Sequence, residues 1–156
     1  MKEKKEVSAG GIVYKTTPEG TVWLITQHSH HKGWVFPKGL IGDKDNAEKM
    51  PEAALREVEE EGGVKAKIVD PTPVETEYSY RWKGSPHGMD DKEEFLVRKK
   101  VYYYLMEYIS GDPQNHDWEM MDAKFTTVEE AKKILSYPSD LKAFLEILNK
   151  FNTKTE

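Results

Sequence analysis

Apolar positions along this chain follow two periods. Residues 7–15 and 21–27 are rich in β-branched and aromatic side chains, and the turn sequence Thr-Thr-Pro-Glu-Gly separates them. They read as two strands of a hairpin. Residues 64–69 read as a short strand, 70–74 as a turn or edge segment, and 75–82 and 95–108 as two longer strands. In the last, Lys99, Val101, Tyr103 and Leu105 share one face, and Lys100, Tyr102, Tyr104 and Met106 the other. Residues 118–125 are expected to hold a short strand. A helix follows over 128–135, with Thr126 or Thr127 as N-cap and Glu129 and Glu130 in its first turn. Tyr137-Pro138 interrupts it. Residues 140–151 then form a second amphipathic helix with Leu141, Phe144, Leu145 and Leu148 toward the core.

A third helix lies within residues 42–64, GDKDNAEKMPEAALREVEEEGGV. It should start near Met50-Pro51, since proline suits the first helical position and Glu52 the positive end. Gly62-Gly63 stops it. Glu57, Glu60 and Glu61 sit at i, i+3 and i+4 and share one face. Ala54, Leu55 and Val58 form a separate apolar stripe, and Glu59 points away to solvent. Like charges four apart destabilise a helix, so the cluster asks for a counterion, and a hard divalent cation suits it. For three carboxylates alone, a solvated acidic face is the better reading.

Composition narrows the picture. The 156 residues suit one domain, 1–156, with no repeat or linker dividing it. Charged residues make up 33% and hydrophobic residues 37%, as in globular proteins with wet surfaces. The net charge of −5 gives no field to attract nucleic acid or an anionic membrane. Cysteine is absent, which excludes disulfides and thiolate metal sites. No segment approaches the roughly 20 apolar residues that span a bilayer, and the charged start lacks a signal peptide's apolar run. Cytoplasm is the expected compartment. Residues 1–6 and 152–156 are expected to fray, and the polar stretch 83–94 to form a mobile loop.

The segment before the helix carries candidate chemistry. His28-Ser29-His30-His31-Lys32-Gly33 holds three histidines, but no thiol or spaced partner accompanies them, so a solvated loop is expected. In Trp34-Val35-Phe36-Pro37-Lys38-Gly39-Leu40, Pro37 fixes φ and Gly39 frees it, allowing a sharp turn. Lys38 is placed to meet a phosphate, with an ordinary surface lysine as the competing reading.

Taken whole, Gly42-x5-Glu48-x7-Arg56-Glu57-Val58-x-Glu60-Glu61-x-Gly63-Val64 matches the signature of the Nudix hydrolases. Nine constrained positions over 23 residues agree, which reverses the balance in favour of a metal site. The first strand, the Trp-x-Phe-Pro-Lys-Gly run and the C-terminal Glu-Glu-Ala helix are also similar to that family. The resemblance implies an α/β fold, an α/β/α sandwich around a central mixed β-sheet. One departure is visible. Eight residues separate Gly39 from Glu48 where five separate Gly42 from it, so the loop carries three extra residues. Either glycine is then a candidate to approach the metal.

Carried over by position, the resemblance implies Glu57, Glu60 and Glu61 as ligands of Mg2+, with Mn2+ as a substitute. It leaves Glu57 or Glu60 as general base. Arg56 orients a box glutamate, and Glu48 braces the loop, with Gly42 and Gly63 as structural glycines. A remote carboxylate completes such sites. Glu119 is the best match, ahead of Asp122, then Glu93 or Glu94. Phosphates are offered Lys38 and Lys99, with Arg81, Lys83, Arg98 and Lys100 as further choices. Bases are offered Trp34 and Tyr80, with Tyr78, Trp82, Tyr102 and Tyr104 as others. For any one of these aromatics, a core or cross-strand role competes. His87 and His116 could protonate a leaving group, but an ordinary surface role is the better reading for both. The implied reaction is Mg-dependent hydrolysis of a diphosphate linkage in a nucleoside diphosphate derivative. A dinucleoside polyphosphate such as diadenosine tetraphosphate is preferred. Nucleoside triphosphates, oxidised dGTP included, come next, then ADP-ribose or nucleotide sugars. A non-catalytic nucleotide-binding module is the competing class, and it should lack a box carboxylate; none is missing. The expected partner is a small-molecule nucleotide, with neither membrane nor nucleic acid.

Overall fold

Two long strands run side by side in parallel at the centre of the sheet. β1 (Lys2–Thr17) pairs with β7 (Glu94–Gly111), from Lys2 against Phe95 to Tyr14 against Glu107. The computed structural model describes residues 2–42, 47–83 and 94–155. Six shorter strands complete the described sheet: β2 (Gly20–His28), β3 (Trp34–Val35), β4 (Lys38–Leu40), β5 (Val64–Ile68), β6 (Val74–Lys83) and β8 (Met120–Thr126). β2 and β4 pair antiparallel with β1, β5 and β6 with β7, and β3 and β8 with β2, so the sheet is mixed. Three α-helices flank it: α1 (Met50–Gly62), α2 (Val128–Ile134) and α3 (Pro138–Thr155).

Strand alternation builds a core on each face. Ile12, Trp23, Ile25, Tyr103 and Leu105 pack with Ala131 of α2 and with Ala143, Phe144 and Ile147 of α3. Their sequence neighbours Val13, Leu24, Tyr104 and Met106 pack with Ala53, Ala54 and Val58 of α1. The result is an α/β/α sandwich, with the two faces of β7 divided as its alternation predicts.

Three expectations need correction. Residues 2–6 do not fray, because the parallel ladder with β7 takes up their backbone groups and Glu3 pairs with Arg98. Residues 152–155 continue α3. Nearby, Lys150 and Lys154 reach Asp70 at 3.3 and 3.8 Å, and Thr153 donates to the Asn149 carbonyl at 2.9 Å. Leu145 is 48% exposed. The buried stripe instead runs through Ala143, Phe144 and Ile147, and Leu145 lies about 100° round the helix from Phe144. The expected 83–94 loop lies outside the described residues except at its ends, where Lys83 pairs with Glu94. Among the described residues, no helix is long and apolar enough to cross a membrane.

Candidate active site

β4 is only three residues long, yet its pairing decides what lies beneath α1. Ala9 of β1 sits opposite Gly39, and Gly10 opposite Lys38. Gly11 also donates its N–H to the Pro37 carbonyl at 3.2 Å. Helix α1 starts at the proline signal and ends at Gly63, whose φ of 74° is left-handed and whose N–H returns to the Glu59 carbonyl at 3.0 Å. Between these ends, Glu57 and Glu61 are buried, Glu60 is partly open and Glu59 is exposed. A Cβ at Gly39 would overlap the Glu57 carboxylate, so only glycine lets β4 approach the helix this closely.

Arg56 ties the box together. Its guanidinium donates to both oxygens of Glu48, at 2.6 and 3.0 Å, to Oε1 of Glu57 at 2.7 Å and to Oε2 of Glu60 at 3.2 Å. A further bond reaches the Leu40 carbonyl at 3.3 Å. Glu48 in turn accepts the Gly42 N–H at 3.1 Å, which closes the loop onto the helix. The Arg56 bonds hold the Glu48 carboxyl below the usual range. Burial pushes the Glu57 carboxyl up to about 7, against the pull of Arg56. Burial, reinforced by Glu57, pushes Glu61 up to about 9, although the Lys38 N–H donates to its Oε1 at 3.2 Å.

The opposite wall is a turn fixed from both sides. Asp117 donates its N–H to the Glu60 carbonyl at 2.8 Å, and the Glu119 carbonyl accepts from both N–H and Oγ–H of Ser29, at 2.9 and 2.8 Å. Asp117, Trp118 and Glu119 thereby line one cleft with Gly39, Glu57, Glu60 and Glu61, with a volume of about 590 Å³. A larger cleft of about 1140 Å³ adjoins it, lined among others by Tyr80, Tyr137, Asp140 and Lys142. His28, His31, Val35, Lys38, Tyr78 and Lys99 line both.

The shared wall carries two lysines, Lys38 and Lys99, beside the ring of Tyr78. Nζ of Lys38 lies 5.1 Å from the centre of the Tyr78 ring. Burial opposes the Lys38 ammonium, but Asp140, Tyr78 and Glu61 hold its pKa above the ordinary value. Lys99 is shifted down, by burial and then by Lys38. Tyr78 and Tyr80 stack at 6.4 Å.

Glu57, Glu60, Glu61, Glu119, Gly39, Lys38, Lys99 and Tyr80 are therefore gathered around these two clefts. Several other candidates are not. Trp34 lies outside both clefts: its backbone N–H donates to Ser136 Oγ at 2.8 Å, its ring packs against the core, and Lys124 Nζ sits 5.0 Å from that ring. Asp122 turns its carboxylate back to the Ala123 N–H at 2.8 Å. Glu94 sits on a strand end, and Glu93 and His87 lie outside the described residues. Arg98 and Lys100 pair with Glu3 and Glu75. Tyr104 belongs to the core beneath α1.

The structure adds residues that the sequence left unassigned. His31 is exposed, as a solvated loop predicts, but its ring stacks on that of the half-buried His28 at 4.2 Å on the cleft wall, and its Nδ1 lies 3.1 Å from the Tyr137 hydroxyl. Asp117 joins the acidic rim. For the histidines, the three-residue spacing ahead of Gly33 was the available signal; for Asp117, its place two residues before Glu119.

The donor set suits a hard cation, since every candidate is a carboxylate or backbone oxygen. Among the described residues, no three acidic or imidazole groups already converge on one metal position. Arg56 holds one oxygen each of Glu57 and Glu60, which leaves Oε2 of Glu57 and Oε1 of Glu60 for a cation. Two buried carboxylates whose charged forms are disfavoured by burial fit a site that would take a cation.

The family model for the NUDIX domain matches residues 4–146. Nudix hydrolase 16, mitochondrial, of Arabidopsis thaliana is 30% identical over 116 residues, covering 74% of this chain and 58% of its own length. The Mycobacterium tuberculosis protein MutT4 is 25% identical over 146 residues, covering 90% and 53%. The chain thus spans little more than half the length of either relative. A solved binary complex of the Caenorhabditis elegans Ap4A hydrolase superposes with a TM-score of 0.64 at 22% identity, covering 95% of this chain and 97% of that one. That likeness shows a shared fold.

Proposed function

The chain belongs to the NUDIX family, and from that premise we propose that it hydrolyses a diphosphate linkage in a nucleoside diphosphate derivative, using Mg2+. The observation that carries this reading is the junction at Lys38. Buried carboxylates, Glu57 and Glu61, lie on one side of it. Lys99 and Tyr78 share the wall with it, and Tyr80 lies beyond, in the larger cleft. A diphosphate held between a cation on the carboxylates and these lysines, with its organic group toward the rings, fits this order.

Glu57, Glu60, Glu61 and Glu119, with a backbone oxygen near Gly39, would hold the cation. Bound there, Mg2+ or Mn2+ would neutralise the diphosphate and lower the pKa of an attacking water. Arg56 acts through the glutamates it orients. Glu57 or Glu60 accepts the water's proton, and the proximity of each to the guanidinium keeps it aimed at the cleft. Lys38 and Lys99 meet phosphate oxygens as point charges, and Tyr80 offers a stacking face. Products would be a nucleotide and a phosphorylated remainder.

Among substrates we place dinucleoside polyphosphates first, diadenosine tetraphosphate being the model compound, because the two adjoining clefts offer room beyond a single mononucleotide. A panel of diadenosine tetraphosphate, nucleoside triphosphates, oxidised dGTP, ADP-ribose and nucleotide sugars, incubated with Mg2+ and resolved by chromatography, tests both steps. Preferential cleavage of the dinucleotide is expected. If every diphosphate survives high enzyme concentration, the hydrolase reading fails and a nucleotide-binding module remains. If ADP-ribose or a triphosphate is preferred, only the substrate ranking falls.

A further inference from the structure

Trp118 is 83% exposed, more than any other exposed large hydrophobic side chain among the described residues. It does not dangle. The turn that carries it is hydrogen-bonded on every side: the Asp117 N–H to the Glu60 carbonyl at 2.8 Å, the Glu119 N–H to Asp117 Oδ1 at 3.1 Å, the Met120 N–H to the Asp117 carbonyl at 3.3 Å. Ser29 clamps the Glu119 carbonyl from the other direction. A large apolar ring carried into water on a fixed turn beside a cleft is suited to cover another flat apolar face.

The position narrows the guest. Trp118 lines the carboxylate cleft and not the larger one, whereas Tyr80 lines only the larger. Lys38 and Lys99 lie on the wall between. Asp117 and Glu119 flank the indole, so the face on offer lies beside the carboxylates that would hold the cation. Phosphates held between that cation and the lysines would leave one ring toward Trp118 and the other toward Tyr80.

We propose that Trp118 is the stacking platform for a second nucleobase, on the carboxylate side of the site, while Tyr78 and Tyr80 offer a face to the first. This rests on the hydrolase reading above and narrows it to substrates carrying two rings joined by a polyphosphate.

The test uses binding, so that it does not depend on turnover. The full chain is titrated with a diadenosine tetraphosphate analogue whose bridging oxygens are replaced by methylene, and separately with ADP, following intrinsic tryptophan fluorescence and calorimetry. Base stacking on an aromatic side chain contributes on the order of a tenfold change in affinity per contact. Trp118→Ala should weaken the analogue about tenfold while shifting ADP by less than about twofold. Trp118→Phe should keep most of the affinity and lose most of the fluorescence quench. Because the side chain is exposed, both variants should melt with the parent protein, and a melt confirms it. Unchanged analogue affinity in Trp118→Ala overturns the proposal, and so does an equal loss for ADP, which would put the first ring on Trp118. Trp118-dependent binding of the analogue without hydrolysis in the substrate panel would sink the hydrolase reading and leave the platform standing. Hydrolysis with Trp118-independent binding would do the reverse.

Discussion

Gly39 presses its backbone against the Glu57 carboxylate so closely that a Cβ would occupy the space of the Glu57 oxygens. Gly42, the glycine that completes the family spacing, does something else. It adopts a φ of 79° and donates its N–H to Glu48. The two substitutions should therefore separate. Gly39→Ala must displace Glu57, and a misplacement near 1 Å at a reacting group costs about 100-fold in rate. Gly42→Ala strains a left-handed residue by about 1–2 kcal/mol but leaves the carboxylates in place. Turnover and thermal melts of both variants check this. Equal activity loss in the two would return Gly42 to the metal's side of the loop.

Arg56 is the only cation bonded to Glu48, Glu57 and Glu60 among the described residues, and it is largely covered. Removing one partner from such a set leaves buried charge unmatched, which costs about 3–5 kcal/mol when burial is complete. Allowing for the partial exposure of Arg56, Arg56→Ala should destabilise the protein by about 2–3 kcal/mol. Arg56→Lys should recover less than half of that, because a point charge cannot reproduce the forked contact with both Glu48 oxygens. Urea melts give the values. Full recovery by lysine would mean that charge alone matters and the geometry does not.

Glu57 and Glu61 give the metal-free protein an unusual pH dependence. Both carboxyls are raised by burial from 4.5, to about 7 and about 9. The unfolded chain gives up these protons near pH 4.5, while the folded chain keeps them longer. Their stabilising contribution is thus complete below the unfolded pKa and is lost as pH rises through 7 and toward 9. In EDTA the melting temperature should fall over that window. Mg2+ should oppose the fall, most strongly at high pH where the ligands are ionised. Glu61→Gln should flatten the EDTA profile, raise stability at pH 8 and weaken Mg2+ binding in calorimetry. A melting temperature that rises with pH in EDTA would contradict the burial argument. Undiminished Mg2+ binding in Glu61→Gln would remove it from the ligand set.

What the sequence made legible follows from distance along the chain. Helix α1 was readable because its proline, carboxylates and glycine stop act within 13 residues. The two faces of β7 were readable because alternation is local. The parallel match of residues 2–6 with 95–99 was not, since those charged residues carry no apolar pattern and their partners lie far down the chain. Trp34 looked like a base platform by composition, and only its packing on the core and its contact with Lys124 take its ring elsewhere. That His28 and His31 also line a cleft was not legible, because a loop sequence does not say which wall it will close; His31 meets Tyr137, from the α2–α3 junction, 106 positions further along the chain and with no shared pattern. Glu119 was reachable through the family pattern, and Trp118 beside it carries no signal except its exposure.

Behind the larger cleft, Tyr103 donates its hydroxyl to Asp140 Oδ1 at 2.8 Å, with both side chains buried. Burial raises the Asp140 carboxyl, and Lys38 and Tyr103 pull it back down. The two partners of Asp140 do different work, and two variants should expose the difference. Tyr103→Phe strands a buried carboxylate and should cost about 1–3 kcal/mol of stability. Asp140→Asn keeps an acceptor for Tyr103 and relieves a buried charge, so it should cost less than Tyr103→Phe. It also withdraws the anion that most supports the Lys38 ammonium against burial. Lys38 should then lose its proton at lower pH, and the KM for a phosphate-bearing substrate should climb in the alkaline limb while the melting temperature holds. A pH profile of KM unchanged in Asp140→Asn would show that Lys38 draws its charge from Glu61 and Tyr78 alone.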